Sequence, residues 1–280
     1  MEKTLPITAI IHVKNEEINL PFTLENISGK FNQVVVVDSE SDDNTQKIAL
    51  SYRCELISRK CTRKQLVNQR NWALDTINFK NEWVFIIDGD EIIEDDLWKE
   101  LFSLDFKNSK YDAFAGRWKN IFLGKWIKYS SFYPTWSIRL FKHKIVRYEE
   151  RSVNAHPIVE KSKLGRLKGH FANYDRRGFG VHYQRTMQFS NLEAIAQNKE
   201  VKTDISKDKL ANVFNSMGRR RILKLIFSRL PFRPLFLFIY LYIFRFGFLD
   251  GRLGLRYIIL KEIQEWATTV HMRELKNKNN

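Results

Sequence analysis

The feature that most constrains this chain is a set of short, almost wholly apolar segments recurring through its first hundred residues. Ile7 to Val13, Gln33 to Val37, Cys54 to Ile57 and Trp83 to Ile87 are rich in β-branched residues and lack the polar alternation of a half-exposed strand. Such runs read as strands buried on both faces. Helical signals separate them. Asn15-Glu16-Glu17 opens a helix towards Ile27, Ser41-Asp42-Asp43-Asn44-Thr45 offers N-cap chemistry for a helix to Tyr52, and Thr62 to Ile77 has helical spacing. Glu94-Asp95-Asp96 opens a further helix with acids in its positive first turn. The alternation predicts an α/β fold with a mostly parallel sheet flanked by helices. Ligands of such sheets bind beyond the carboxyl ends of the strands, which places Asp38 and Asp88 at a candidate site.

Glycine is scarce where a phosphate-binding backbone loop would need it. Before Gly116 the chain has only Gly29 and Gly89, so neither GxGxxG nor GxxxxGK[ST] follows a strand. A nucleotide bound here needs another means of neutralising its phosphates. Asp88-Gly89-Asp90 offers one: two carboxylates one residue apart can meet a single hard cation, Mg²⁺ or Mn²⁺, whose open positions accept phosphate oxygens. The competing reading of these acids is a solvated turn. The buried strand before them and Glu91 after them favour a site.

With these residues in view, the chain resembles family 2 glycosyltransferases. Trp83 to Glu91 is similar to that family's metal-binding segment, and closest to the lipopolysaccharide-core β-glucosyltransferase-like branch, which commonly shows Asp-Ala-Asp-Glu there. Val13-Lys14-Asn15-Glu16-Glu17 resembles the family's first loop, and Val37 to Thr45 its nucleotide-facing second loop. Gln69-Arg70-Asn71-Trp72-Ala73-Leu74 resembles the helix with a donor-contacting Arg-Asn. The resemblance runs from about residue 5 to 200. It implies a GT-A fold, a nucleotide-diphosphate sugar donor, most readily a UDP-sugar, and a divalent metal as cofactor. By it, Val13, Asn15, Glu16, Asp38, Arg70 and Asp88 bind the nucleotide, and Asp88 and Asp90 hold the metal. It also implies a catalytic domain over residues 1–200, with its nucleotide half to about 110 and its acceptor half beyond.

An inverting transfer needs a base beside the acceptor hydroxyl. Related enzymes often carry Val-His-Glu or Asn-Glu-His where this chain has Asn154-Ala155-His156-Pro157. The candidates are therefore Glu150, Glu149 and His156, in that order, while His170 and His182 read as surface or packing residues. The aromatics between Phe114 and Trp136 suit an acceptor groove for a saccharide or lipid-linked saccharide.

The last eighty residues differ in character. From Lys202 to Lys278 the chain has 16 Lys/Arg against 6 Asp/Glu, most of the excess behind its +15 net charge. The apolar run Leu235 to Phe244 is ten residues long, about half of what a spanning helix needs, and Pro231 and Pro234 interrupt its approach. Residues 201–280 are expected to form a basic, amphipathic helical extension lying on an anionic membrane surface. No nucleic-acid recognition motif appears. Cys54 and Cys61 form no CxxC pair and read as reduced thiols. With no leader-like N-terminus, the expected place is the cytoplasm, peripheral on the inner face of a bacterial inner membrane. The rival readings are a nucleotidyltransferase and a membrane-binding adaptor of the same fold that has lost catalysis.

Overall fold

Strands that bury both faces pair with one another before anything else, and the sheet begins that way. In the computed structural model, which describes residues 4–60, 66–149, 156–203 and 233–277, β1 (Leu5–Val13) lies between β2 (Phe31–Asp38) and β4 (Trp83–Asp88), and all three are parallel. β3 (Glu55–Ser58) pairs parallel to β2. Helices α1 (Leu20–Ile27), α2 (Thr45–Ser51) and α3 (Leu66–Thr76) alternate with the strands. Side chains of β1 alternate between the two faces. Ile7, Ala9 and Ile11 pack with Leu20, Leu24 and Ile27 of α1, whereas Ile10 packs with Ala73 and Leu74 of α3.

The rest of the sheet is mixed. β8 (Thr135–Lys142) runs antiparallel to β4 and to β6 (Ala113–Phe122), and β11 (Leu164–Asn173) pairs parallel to β6. A three-residue strand, β5 (Glu91–Ile93), pairs antiparallel with β11, giving the order β3-β2-β1-β4-β8-β6-β11-β5. β7 (Lys125–Trp126) pairs with β6, and β9 (Arg147–Tyr148) with β10 (Pro157–Ile158) forms a separate hairpin. Helix α4 (Asp95–Ser103) follows β5, with Asp95 and Asp96 in its first turn as expected.

One local expectation is corrected. The first helix starts at Leu20, not at Asn15. Side chains of the second loop take the N–H groups that would have opened it: Ser41 Oγ accepts from Asn15 (2.9 Å), Thr45 Oγ1 from Glu16 (2.8 Å) and Asp43 from Glu17 (3.1 Å). Glu91 to Ile93, on which the sequence reading was silent, is a strand because β11 offers its backbone a partner.

The chain divides into two compact units, Met1–Trp126 with Phe132–Gly178, and Ile127–Ser131 with Phe179–Asn280. The boundary expected near residue 200 falls inside α5 (Phe179–Thr203), which packs on α7 (Gly251–Asn277) of the second unit. The second unit also holds α6 (Arg233–Ile239), a π turn (Tyr240–Phe244) and a 3-10 turn (Gly247–Asp250). No single helix is long and apolar enough to cross a membrane among the described residues. Arg219-Arg220-Arg221 and Cys61 lie outside the described residues. Cys54 is a free thiol that burial pushes up to about 11.

Candidate active site

The carboxyl ends of β1, β2 and β4 bring the first three motifs together. The first two loops interlock: the bonds from Ser41, Thr45 and Asp43 are returned when Asp42 N–H donates to Asn15 (3.1 Å) and Asn44 N–H to Glu17 (3.1 Å). Asn15 takes a left-handed backbone, φ 54°, which asparagine tolerates well. Val13 ends β1, and its carbonyl accepts from Ser39 N–H at 3.0 Å. Gly89 has a steric reason. A Cβ there would lie 2.9 Å from Val13 Cγ1 and 3.0 Å from Glu16 Cγ, so the first loop closes directly over the Asp88-Gly89-Asp90 turn.

Asp38 is fully buried, and its carboxylate turns back to its own loop. It accepts from Ser41 N–H (3.0 Å), the Ser41 hydroxyl and Gln46 Nε2 (2.6 Å). These bonds hold the second loop in shape.

Asp88 lies between two arginines. Arg139 Nη2 donates to it at 3.0 Å and also meets Glu91 at 2.5 Å, while Arg70 Nη2 stands 3.6 Å from its other oxygen. Glu91 in turn accepts from Asp88 N–H at 3.0 Å. Burial resists ionisation of Asp88, but Arg139, aided by Arg70, outweighs it and holds the carboxyl well below the usual range. Glu91 moves the other way. Burial, reinforced by the charges of Asp88 and Asp90 and opposed by Arg139, pushes it up to about 8. His12, opposite Asp88 on β1, is lowered to about 3 by burial and then by Arg70, so its ring is neutral.

Asp90 faces a third arginine, Arg177, at 3.6 Å. β11 accounts for this position. Asn173 pairs with Glu91, and Tyr174 N–H donates to Asp90 carbonyl at 2.7 Å, so the residues just after β11 arrive at the turn. Asp175 grips Arg177 through two bonds of 2.7 Å, and Glu16 accepts from it at 2.9 Å. Although burial opposes it, that grip holds Asp175 far below the ordinary carboxylate range.

Five carboxylates (Glu16, Asp88, Asp90, Glu91 and Asp175) thus stand against three guanidiniums (Arg70, Arg139 and Arg177). Asp88 and Asp90 offer oxygen donors of the kind a hard divalent cation takes, and as they stand each is engaged by arginine. A second group, Glu94, Asp96 and His170, also brings ligand atoms within 4.8 Å of one another. These atoms are engaged: His170 bonds Asp96 through Nδ1 and the Tyr133 hydroxyl through Nε2 (2.9 Å), and Lys119 pairs with Glu94. His170, read from the sequence as a surface or packing histidine, is buried and hydrogen-bonded through both ring nitrogens.

Of the proposed bases, Glu150 lies outside the described residues. Glu149 N–H donates to the His156 carbonyl at 3.0 Å across the β9–β10 hairpin, and His156 is exposed. Asn71 fixes that hairpin by bonding both backbone groups of Tyr148 (2.9 and 3.0 Å), and the Tyr148 ring lies 5.1 Å from the Arg70 guanidinium. Sequence reasoning missed Arg139, Arg177, Asp175 and His12. Only His12 left a trace, as a polar ring inside an apolar strand.

The family described as Glycosyl transferase family 2 matches residues 8–158. Among curated relatives, an uncharacterized glycosyltransferase of Rickettsia bellii (strain RML369-C) is 34% identical over 98 residues, 35% of this chain and 32% of the relative. One of Rickettsia typhi (strain ATCC VR-144 / Wilmington) is 30% identical over 95 residues, 34% of this chain and 31% of the relative. The chain spans about a third of the length of these relatives. Among solved structures, S. aureus TarS 1-349 in complex with UDP-GlcNAc is 14% identical, with 96% of this chain and 91% of that chain covered, at a TM-score of 0.45. Glucosyl-3-phosphoglycerate synthase from Mycobacterium tuberculosis, in complex with Mn2+, uridine-diphosphate and glucosyl-3-phosphoglycerate, is 13% identical, with 70% and 81% covered, at 0.41.

Proposed function

The chain belongs to glycosyl transferase family 2 and has a GT-A-like α/β fold, and from that premise we propose that it moves a sugar from a nucleotide-diphosphate donor, a UDP-sugar by preference, to a saccharide acceptor with inversion. The observation that carries the reading is the convergence of Arg70 and Arg139 on Asp88, and of Arg177 on Asp90, where the parallel strands end.

In this proposal Asp88 and Asp90 hold a divalent cation, which when bound supplies Lewis-acid stabilisation of the departing diphosphate. Arg70 meets the same phosphates through its planar fork of donors. Val13, Asn15 and Glu16 wall the nucleotide, and Asp38 acts by shaping the loop that receives base and ribose. The acceptor hydroxyl attacks the anomeric carbon from the face opposite the nucleotide and gives its proton to a carboxylate. Glu150, Glu149 and His156 remain the candidates, and Glu149 adjoins the Tyr148 that Arg70 covers. The proposed acceptor is a lipid-linked, lipopolysaccharide or exopolysaccharide saccharide at the inner face of a bacterial inner membrane.

Incubation with a panel of nucleotide sugars, with Mg²⁺, Mn²⁺ or chelator, tests the reading. One donor should be hydrolysed or transferred only with metal, and Asp90→Asn should lower that rate at least about a hundredfold, the scale of losing a key electrostatic contact. Undiminished turnover by Asp90→Asn would remove the proposal's basis.

A further inference from the structure

The second unit exposes large apolar side chains at its best-anchored point. The helical stretch Arg233–Phe244 and the helix Gly247–Leu275 meet at 75°. At their junction Phe244 is 70% exposed, Phe246 55%, Phe248 48% and Leu249 56%. The junction is firmly tied. Asp250, itself buried, accepts the N–H groups of Lys128 (3.3 Å), Tyr129 (2.8 Å) and Ser130 (2.6 Å), and the Ser130 hydroxyl donates to Gly247 carbonyl at 3.0 Å. Gly247 and Gly254 permit this closeness, since a Cβ on either would lie within 2.6 Å of a neighbouring atom. Phe246 has a left-handed backbone, φ 58°, where glycine or asparagine is cheaper, and its ring, edge-on to Phe248, stays more than half exposed.

The adjoining helix continues the pattern. On α7 the exposed residues Arg252, Arg256, Ile259, Ile263 and Trp266 recur at spacings of four and three, which is one face. Those five residues comprise two cations and three large apolar groups, with the partly exposed Glu262 at the same spacing between Ile259 and Trp266. Apolar side chains beside arginines suit the boundary between acyl chains and anionic head groups. A second copy of the chain fits poorly, because a self-complementary contact would set arginine against arginine.

We propose that this junction is a shallow wedge, docking the chain on an anionic lipid leaflet, with Phe244, Phe246 and Phe248 entering the acyl region and Arg252 and Arg256 meeting the head groups. The wedge is independent of the sugar-transfer chemistry, and a chain inert towards every donor would dock all the same.

Sedimentation of the full chain with vesicles of phosphatidylcholine, alone or mixed with phosphatidylglycerol, tests it. The chain should bind the mixed vesicles. Phe244→Ser, Phe246→Asn and Phe248→Ser together should weaken binding about tenfold or more, with donor hydrolysis unchanged. Arg252→Ser with Arg256→Ser should abolish the preference for phosphatidylglycerol. If the triple variant fails to fold, Phe246→Asn alone, which relieves backbone strain, should still weaken binding severalfold. No binding by the wild type, or equal binding by these variants, overturns the proposal. So does a dimer that the triple variant dissolves while vesicles are ignored.

Discussion

At the scale of the residue, the site is governed by buried charge. Arg139 serves both Asp88 and Glu91, so its loss would leave two carboxylates in the interior facing one remaining guanidinium. No periodicity reveals such a residue: an arginine between Ile138 and Leu140 reads as the outward face of a strand. Arg177 was hidden by its neighbours, since Asp175-Arg176-Arg177 looks like a solvated charged turn. His12 yields a prediction. Its folded value lies near 3 against 6.5 when unfolded, so the unfolded chain takes up the proton first as pH falls. Stability from this position is intact above about 6.5 and lost progressively down to about 3. Between pH 7 and pH 5 the loss is about 2 kcal/mol. Urea unfolding of wild type and His12→Phe at both pH values should show the wild type losing that much more. Parallel pH profiles would contradict it.

At the scale of the element, legibility followed continuity. β1, β2 and β4 were plain because each carries an apolar run rich in β-branched residues, most of them buried. β5 was not, because three residues carry no period and their partner, β11, lies some eighty residues on. The start of α1 was misjudged because its capping-like acids bond across to the second loop, a tertiary choice that local propensity does not register. The Arg70-Asn71 pair shows how neighbours on one helix divide their work. Arg70 faces Asp88, while Asn71 holds the backbone of Tyr148 beneath it. Asn71→Ala removes two partly buried hydrogen bonds and should cost about 1–3 kcal/mol in denaturant unfolding. It should also weaken UDP binding through the loosened hairpin. An unchanged midpoint and unchanged affinity would show that the hairpin stands without it.

At the scale of the whole molecule, the parallel half of the sheet sets out the loops, and the mixed half returns the chain to them. β11, held between β6 and β5, delivers Asp175 and Arg177 to Asp90 and so completes a charge cluster drawn from sequence positions 16 to 177. The order of motifs made the fold and the Asp88-Gly89-Asp90 turn readable. Of the three arginines around it, Arg70 was readable too, while Arg139 and Arg177 became visible only when distant strands met. The proposed function centres on a divalent cation that Asp88 and Asp90 would hold when a nucleoside diphosphate arrives. Isothermal titration of UDP into the full chain, with Mn²⁺ and with chelator, and again with Asp90→Asn, tests it most directly. Strong binding that requires Mn²⁺ and disappears in the variant is the predicted result. Equal binding with and without metal, in wild type and variant alike, would contradict it.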